Sequence, residues 1–383
     1  MTALRIAALV VGIVVLFGTA RSVVAILIVP RPTTTVVIYT LIIIRIGFRR
    51  LSQFARDYTA KDRILAFGEP VALLSLLATW LTMTLIGFTF VNWGIGHGSF
   101  ATAFSESGSS IFTLGFTLSH SEGSKVVDFI AAATGLVLIA LQIAYLPTLY
   151  AAYNRRETLV TLLESRAGAP AWGPELLVRH QLVGTIDSLP SLFAEWERWA
   201  ADVAESHTAY ASLLFLRSPR AQNSWIVSLI AVMDAAALTL AIDPVGAPIE
   251  ARMCIRMGFT CLRDIAQAGR IPFDPDPDPD DPITLEESAF DGAYAALLRA
   301  GFPVSRPADE AWAHFRGWRV NYESVAYAIA YRVDAPPAKW SGPRRQFRGE
   351  SLEPLRPVDK QPSTVPPDPR RLRRLPEEGL EGS

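Results

Sequence analysis

Charged side chains are missing from two long stretches of this chain. No Asp, Glu, Lys or Arg occurs between Val71 and Asn92, and none occurs from Phe129 to Asn154. The whole-chain composition is half hydrophobic with a net charge of −1, which would also fit a soluble enzyme. The distribution of charge along the chain therefore distinguishes a membrane protein from a soluble one. A helix needs roughly 20 consecutive apolar residues to cross the hydrocarbon core of a bilayer. Both stretches meet that length, and we predict two membrane-spanning helices followed by a water-soluble part.

The chain is equally poor in residues that build catalytic and metal sites. Its two cysteines, Cys254 and Cys261, lie seven residues apart, and its five histidines are scattered without a metal-ligand spacing. Reduced, buried thiols are the default in the cytoplasm, and two cysteines without a His or Cys cluster make no zinc site. We find no glycine-rich phosphate loop, nucleophile motif or internal repeat. We therefore expect no enzyme activity, no cofactor, no bound metal and no nucleic-acid partner.

Two further apolar segments precede the charge-free stretches. The first covers Ile6 to Val29 and is broken only by Arg21. A cleavable signal peptide has an apolar part of roughly 7–15 residues followed by a cleavage site of small residues. Because this run continues past any such site, we interpret it as a retained span, with a cleaved signal as the alternative. The second segment, Thr33 to Phe48, is short and contains Arg45, so it is either a fourth span or a helix lying in the membrane interface.

Basic residues determine the predicted orientation. Cytoplasmic loops of membrane proteins are enriched in Lys and Arg. Arg155 and Arg156 follow the last span, and a basic loop follows the short segment, with Arg49, Arg50, Arg56, Lys61 and Arg63. Both places should therefore face the cytoplasm. We expect a multi-pass protein of the cell membrane whose C-terminal domain is cytoplasmic.

Downstream of the spans, turns rich in proline and glycine separate helical patterns up to about Trp340. The most apolar of these helices, Asn223 to Ile242, is interrupted by Asp234. A carboxylate at the centre of a span is costly in lipid. We therefore predict a buried helix at the heart of the cytoplasmic domain, with Trp225, Ile226, Leu229 and Leu238 in its core. A helix crossing the lipid is the alternative.

Two polar segments complete the C-terminal half. The run Asp274 to Asp281 alternates aspartate with proline, which favours a stiff, solvated linker. It lacks the glycine and the final glutamate that a calcium-binding EF-hand loop needs. From Ser341 onward, Pro, Arg and Glu dominate and apolar residues become rare. That composition predicts a disordered tail.

The segment between the two charge-free stretches has the most specific pattern. Phe100 to Phe112 can form a helix about half as long as a bilayer span. Thr113, Leu114, Gly115 and Phe116 follow it at once. Carbonyl groups stacked around one axis require unusual backbone angles, which glycine adopts without penalty. Non-helical backbone at membrane depth is tolerated only where protein or a water-filled cavity surrounds it.

Pore-loop cation channels have the same order of elements: an outer helix, a half-length helix, a segment like this tetrad and an inner helix. The stretch resembles the two-transmembrane potassium channel family, whose filter reads Thr-Val-Gly-Tyr-Gly or Thr-x-Gly-Phe-Gly. The resemblance covers roughly residues 71–154, and Thr113 to Phe116 match the first four filter positions. Thr117 stands where the family has glycine, and Leu118 where it often has aspartate.

The resemblance implies a homotetramer in the lipid bilayer. Backbone carbonyls of four loops would replace the hydration shell of potassium or another monovalent cation. Phe116 would pack against the pore helix and hold the ring open.

Three further residues belong to the predicted site. Gly135, 20 residues after Gly115, resembles the hinge glycine of the pore-lining helix. Pro147 lies near the cytoplasmic end, where a proline kinks a helix. The alternative for Gly135 is a small residue that packs helices together, and the alternative for Pro147 is a break at the end of the span. Glu106 is the only acid of the predicted pore helix, and a carboxylate at membrane depth is a functional candidate; in external water it would be an ordinary surface charge.

We therefore predict an all-α membrane protein in four parts. These are N-terminal membrane segments with the basic loop (1–63), the outer helix, pore loop and inner helix (64–154), a helical cytoplasmic domain (155–340) and a disordered tail (341–383). The predicted function is a tetrameric ion channel for monovalent cations. The alternative is a non-conducting membrane anchor for a cytoplasmic interaction or sensor domain.

Overall fold

The computed structural model describes residues 3–27, 35–96, 98–117, 122–344 and 351–355. These residues form helices joined by turns, with a single isolated bridge between Ala338 and Leu352. The α-helices, numbered in chain order, are α1 Ala3–Leu27, α2 Thr35–Leu51, α3 Tyr58–Ala66, α4 Gly68–Ile95, α5 Phe100–Ile111, α6 Glu122–Ala167, α7 Gly173–Val183, α8 Leu189–Ala209, α9 Trp225–Ile242, α10 Ile249–Ala268, α11 Glu287–Ala300, α12 Ala308–Arg319 and α13 Glu323–Val333.

Four helical segments within the described residues are long and apolar enough to cross a membrane. They are Ala3–Ile26, Tyr58–Ile95, Glu122–Ala167 and Trp225–Ile242. The two charge-free stretches of the sequence lie within the second and third of these segments. An all-helical protein with candidate membrane spans is therefore confirmed, and the first segment adds α1 to the membrane part.

Helix α1 packs antiparallel along α4 through glycines. A Cβ carbon at Gly12 would lie 2.7 Å from the carbonyl oxygen of Gly87, and one at Gly94 would lie 2.8 Å from Cβ of Leu9. Small residues at such crossings let two helix backbones approach closely, which is how helices associate in lipid. Further along the contact, the Trp80 indole donates a 3.0 Å hydrogen bond to Ser22 Oγ.

Helix α2 lies beside the N-terminal half of α4 and is 17 residues long, shorter than the roughly 20 residues of a span. Arg45 donates two hydrogen bonds, of 3.0 and 2.8 Å, to the carboxylate of Glu69. Phe48, three residues after Arg45, packs beside Gly68: a Cβ carbon at Gly68 would lie 3.6 Å from Cβ of Phe48. The first residues of the predicted segment, Thr33 and Thr34, lie outside the described residues.

Helix α9 is the central helix of residues 155–344. Of its candidate span, 94% is buried inside the protein, by neighbouring helices that include α7, α10 and α12. The predicted core residues Trp225, Ile226, Leu229 and Leu238 are at most 3% exposed, which confirms their burial. Asp234 accepts hydrogen bonds from the Arg319 guanidinium and from Tyr322 Oη, the latter 2.7 Å long. Protein therefore surrounds α9, and its one carboxylate is paired.

Contacts with the helical part continue beyond Ser341, where the predicted tail begins. Arg344 is buried, and its guanidinium donates to the carbonyl oxygens of Ala335 at 2.7 Å and Pro336 at 3.0 Å. The Leu352 N–H donates to Pro337 O at 2.7 Å. Carbonyl groups of a proline-rich turn, rather than apolar side chains, hold these residues. The remainder of the predicted tail lies outside the described residues.

Candidate functional site

The predicted pore helix is α5, with 12 residues and therefore a length of about 18 Å. Ser99 caps its N-terminus by accepting a 3.2 Å hydrogen bond from the Thr102 N–H. The Phe100 ring meets the rings of Phe90 and Trp93 edge-on, at centroid distances of 5.8 and 5.6 Å. These contacts fix the first turn of α5 to the outer end of α4.

The other end of α5 rests on α6 at Gly135. A Cβ carbon at Gly135 would overlap the Ile111 carbonyl oxygen and lie 3.0 Å from its carbonyl carbon. Helix α6 continues without interruption through Gly135 and Pro147 for 46 residues. Gly135 is therefore a packing contact between the inner helix and the pore helix, which was the alternative interpretation. The hinge roles of Gly135 and Pro147 stay predictions.

Positive φ angles occur at alternate residues of the loop that follows α5. Thr113 has φ of 54° and Gly115 of 69°, both in the left-handed region, whereas Thr117 does not take a positive φ. For a β-branched residue such as Thr113 this conformation is strained and persists only when its surroundings impose it. Hydrogen bonds supply that constraint: Thr113 N–H donates to Ser110 O at 3.0 Å and Leu114 N–H to Ser109 O at 2.8 Å.

The predicted filter residues Thr113 to Phe116 are all exposed in a single chain. Leu114 is 62% and Phe116 67% exposed, so their own chain leaves most of both side chains uncovered. The packing of Phe116 against the pore helix stays a prediction. A Cβ carbon at Gly115 would meet no atom within 4 Å. Within one chain, only the backbone conformation therefore demands glycine at this position. Leu118 lies outside the described residues.

A buried polar layer joins the outer, pore and inner helices. The Asn92 amide nitrogen of α4 donates to Ser107 Oγ of α5 and to Asp128 Oδ1 of α6, both at 3.1 Å. Asn92 is 2% exposed, and its Oδ1 has no hydrogen-bond partner among the described residues. Glu106 is 8% exposed, so it is buried and is not an ordinary surface charge. The sequence indicated Glu106 but gave no sign of the amide that links the three helices.

Arg5 of α1 holds the turn between the outer helix and the pore helix. Its guanidinium donates to the carbonyl oxygens of Gly96 and Gly98, the latter at 3.2 Å. A cation at the C-terminal end of a helix also interacts favourably with the helix dipole, here that of α4. Sequence analysis missed this role, although a lone arginine at the start of an apolar run was a visible signal.

One short segment between α8 and α9 contacts helices α2, α3 and α6. We call residues 210–217, between α8 and α9, the connector. Arg156 of α6 is 0% exposed and donates to the connector carbonyls of Leu213 and Leu216, each at 2.7 Å. Arg45 of α2 stacks on Phe215, with its guanidinium carbon 3.6 Å from the ring centroid.

The last residue of the connector, Arg217, ties α3 to the end of α13. It donates to Tyr58 Oη at 2.6 Å and to Val333 O at 2.9 Å, and it pairs with Asp62. Lys61 adds an ion pair with Asp334, 2.6 Å long. Helices α2, α3 and α6 are therefore joined to the connector and to the end of α13 at one place.

A neutral histidine lies beside the buried Arg156. His207 Nε2 is 3.1 Å from Arg156 Nη1, which always donates, so this ring nitrogen accepts. Burial, and after it the Arg156 guanidinium, hold the pKa of His207 well below its usual range. Burial also lowers the pKa of His180.

Comparison with known proteins finds no match: no family model fits the chain, and neither the curated proteins nor the solved structures contain a similar one. Within the described residues, no group of three or more His, Cys, Asp or Glu side chains is arranged to hold a metal ion. The potassium-channel resemblance therefore depends on the filter tetrad and on the order of the helices around it.

Proposed function

We propose that four copies of this chain form a membrane pore for monovalent cations, potassium being the ion that the filter resemblance implies. Thr113, Leu114, Gly115 and Phe116 line the narrowest part. The observation that carries the proposal is the pair of positive φ angles at Thr113 and Gly115, directly after a half-length helix packed between two apolar helices. Alternating backbone of this kind lets neighbouring carbonyl groups face the same side, as a carbonyl-lined filter requires.

The loop is also suited to cations by electrostatics. It follows the C-terminal end of α5 directly. A helix carries a partial negative charge at this end, which favours cations over anions nearby.

The exposed side chains of the loop favour assembly. Irregular backbone at membrane depth needs protein or a water-filled cavity around it. Leu114 and Phe116 are largely exposed in one chain. Since each chain supplies one loop, further copies around a common axis would cover these side chains and enclose the pathway.

The proposal is tested with the purified protein in liposomes, where potassium flux and subunit number are measured on the same preparation. We expect tetramers that conduct potassium. Tetramers without flux would contradict the pore and support the alternative, a membrane anchor for the soluble domain. Monomers would contradict the shared filter itself.

A further inference from the structure

A cavity of about 410 Å³ lies between the cytoplasmic ends of the outer and inner helices. One wall is formed by α3 and the start of α4, with Arg63, Phe67 and Pro70, and the opposite wall by Tyr150 and Tyr153 of α6. The chain that follows the connector, including Ser218, closes its cytoplasmic side. No function assigned above uses this space.

Among the charged side chains that line the cavity, one arginine is not paired with a carboxylate. Arg217 lines the wall, but its guanidinium is paired with Asp62, which lines the same wall. Arg63 is exposed and has no ion-pair partner among the described residues. The lining therefore favours an anion, and arginine is the side chain that best matches the oxygens of phosphate or carboxylate groups.

The surroundings indicate where such a ligand comes from. Tyrosine is enriched at the surface of membranes, where one end of its ring is apolar and the other is wet. Tyr150 is 41% exposed beside the cavity, and the rings of Tyr150 and Tyr153 meet edge-on at 6.1 Å. Aromatic and proline side chains together with one free arginine suit a ligand that has both a phosphate and a carbon skeleton.

We propose that this cavity binds a phosphate group at the membrane surface, with Arg63 pairing with its oxygens. The headgroup of an anionic phospholipid and free phosphate share this chemistry, and the lipid also supplies apolar atoms for Phe67 and Tyr150. Because Leu216 and Arg217 of the connector line the same cavity, an occupied site would stabilise the junction between membrane part and soluble domain. The inference does not depend on ion conduction.

The test measures thermal unfolding of the full-length protein in neutral detergent. Three additives are compared: dihexanoyl phosphatidylglycerol, dihexanoyl phosphatidylcholine and inorganic phosphate. A ligand that binds only the folded protein raises the melting temperature with concentration. We expect phosphatidylglycerol to raise it and phosphatidylcholine not to. A rise with inorganic phosphate alone would identify the free anion as the source and keep the phosphate site.

One variant and two controls locate the effect. Arg63→Gln should weaken binding about tenfold, as expected for loss of a charge-assisted pair. Ser218→Ala removes a hydroxyl oxygen that is buried away from the cavity, and it should bind like the parent. Arg56→Gln removes an exposed arginine of the same basic loop that does not line the cavity, and it should bind like the parent. Equal losses in Arg63→Gln and Arg56→Gln, or equal effects of the two lipids, would overturn the proposal.

Discussion

Helix α6 touches α5 backbone to backbone: Gly135 lies against the Ile111 carbonyl group, where a Cβ carbon would overlap the oxygen. Gly135→Ala must therefore move the end of α5, from which the filter loop starts. Overpacking of this kind costs about 1–3 kcal/mol. We expect a lower melting temperature of the full-length protein in detergent. Gly18→Ala is the matched control, because a Cβ carbon there meets nothing within 4 Å. Equal melting temperatures of the two variants would contradict this contact.

The connector gives a second prediction, at two consecutive arginines. Arg156 is fully buried between Glu157 and the connector carbonyls, whereas the side chain of Arg155 is 58% exposed and pairs with Asp202. Arg156→Met leaves a buried carboxylate unpaired, which costs about 3–5 kcal/mol. Arg155→Met should cost less than about 1 kcal/mol.

Urea unfolding of the two full-length variants, followed by tryptophan fluorescence, measures this difference. A similar midpoint for both would mean that Arg156 does not hold the inner helix to the soluble domain. Hydrogen exchange at residues 210–217 gives a local readout, and we expect faster exchange only in Arg156→Met.

Acid should weaken the soluble domain through its buried histidines. Burial and the neighbouring Arg156 hold the pKa of His207 well below its usual range. The unfolded chain takes up a proton near pH 6.5, while folded His207 stays neutral. The stability contribution is therefore present above pH 6.5 and is lost as the pH falls, by about 1.4 kcal/mol per pH unit for each such histidine.

Unfolding free energies measured between pH 7.5 and 5 test this sign. His180, whose pKa burial also lowers, should contribute in the same direction. His207→Gln should flatten the dependence by about one proton, because glutamine does not titrate. An unchanged slope in His207→Gln would show that His207 is protonated in the folded protein.

The proposed orientation is tested with single cysteines and a membrane-impermeant thiol reagent. Gln53 lies exposed in the basic loop, and Gln53→Cys should resist labelling in intact cells. Ser121→Cys, which the proposed orientation puts on the other side of the membrane, should react. The native Cys254 and Cys261 are 0% exposed, so they give little background. Labelling of Gln53→Cys without Ser121→Cys would reverse the orientation.

The sequence was sufficient where composition alone decides. Helices α4 and α6 follow from the charge-free stretches, because lipid excludes charges from a span. The burial of α9 follows from Asp234, because a carboxylate at the centre of an apolar helix needs hydrogen-bond partners that lipid cannot provide. Arg319 and Tyr322 are its partners.

The connector, the loop conformation and the contact of Gly135 depend on neighbours in space, which no local sequence pattern predicts. Arg156 donates to the carbonyl groups of Leu213 and Leu216, about 60 residues away along the chain. From sequence alone, Arg156 is an ordinary arginine after a span, and the two leucines belong to an ordinary turn. The positive φ of Thr113 runs against the preference of a β-branched residue and is imposed by Ser109 and Ser110. From sequence alone, Gly135 fitted a hinge and a packing contact equally well; the contact with Ile111 shows the packing, and the hinge stays a prediction.

The central claim is that the left-handed backbone of the loop forms an ion filter, and Gly115→Ala tests it most directly. The left-handed conformation costs a residue other than glycine about 1–2 kcal/mol, and a tetramer would repeat that cost around one axis. Gly108→Ala makes the same change inside α5, where the added carbon has only an ordinary 3.7 Å contact with Leu85. Potassium flux into liposomes is measured for both variants and the parent at equal tetramer content. We predict that Gly115→Ala abolishes flux while Gly108→Ala conducts like the parent; unchanged flux in Gly115→Ala would contradict the carbonyl filter.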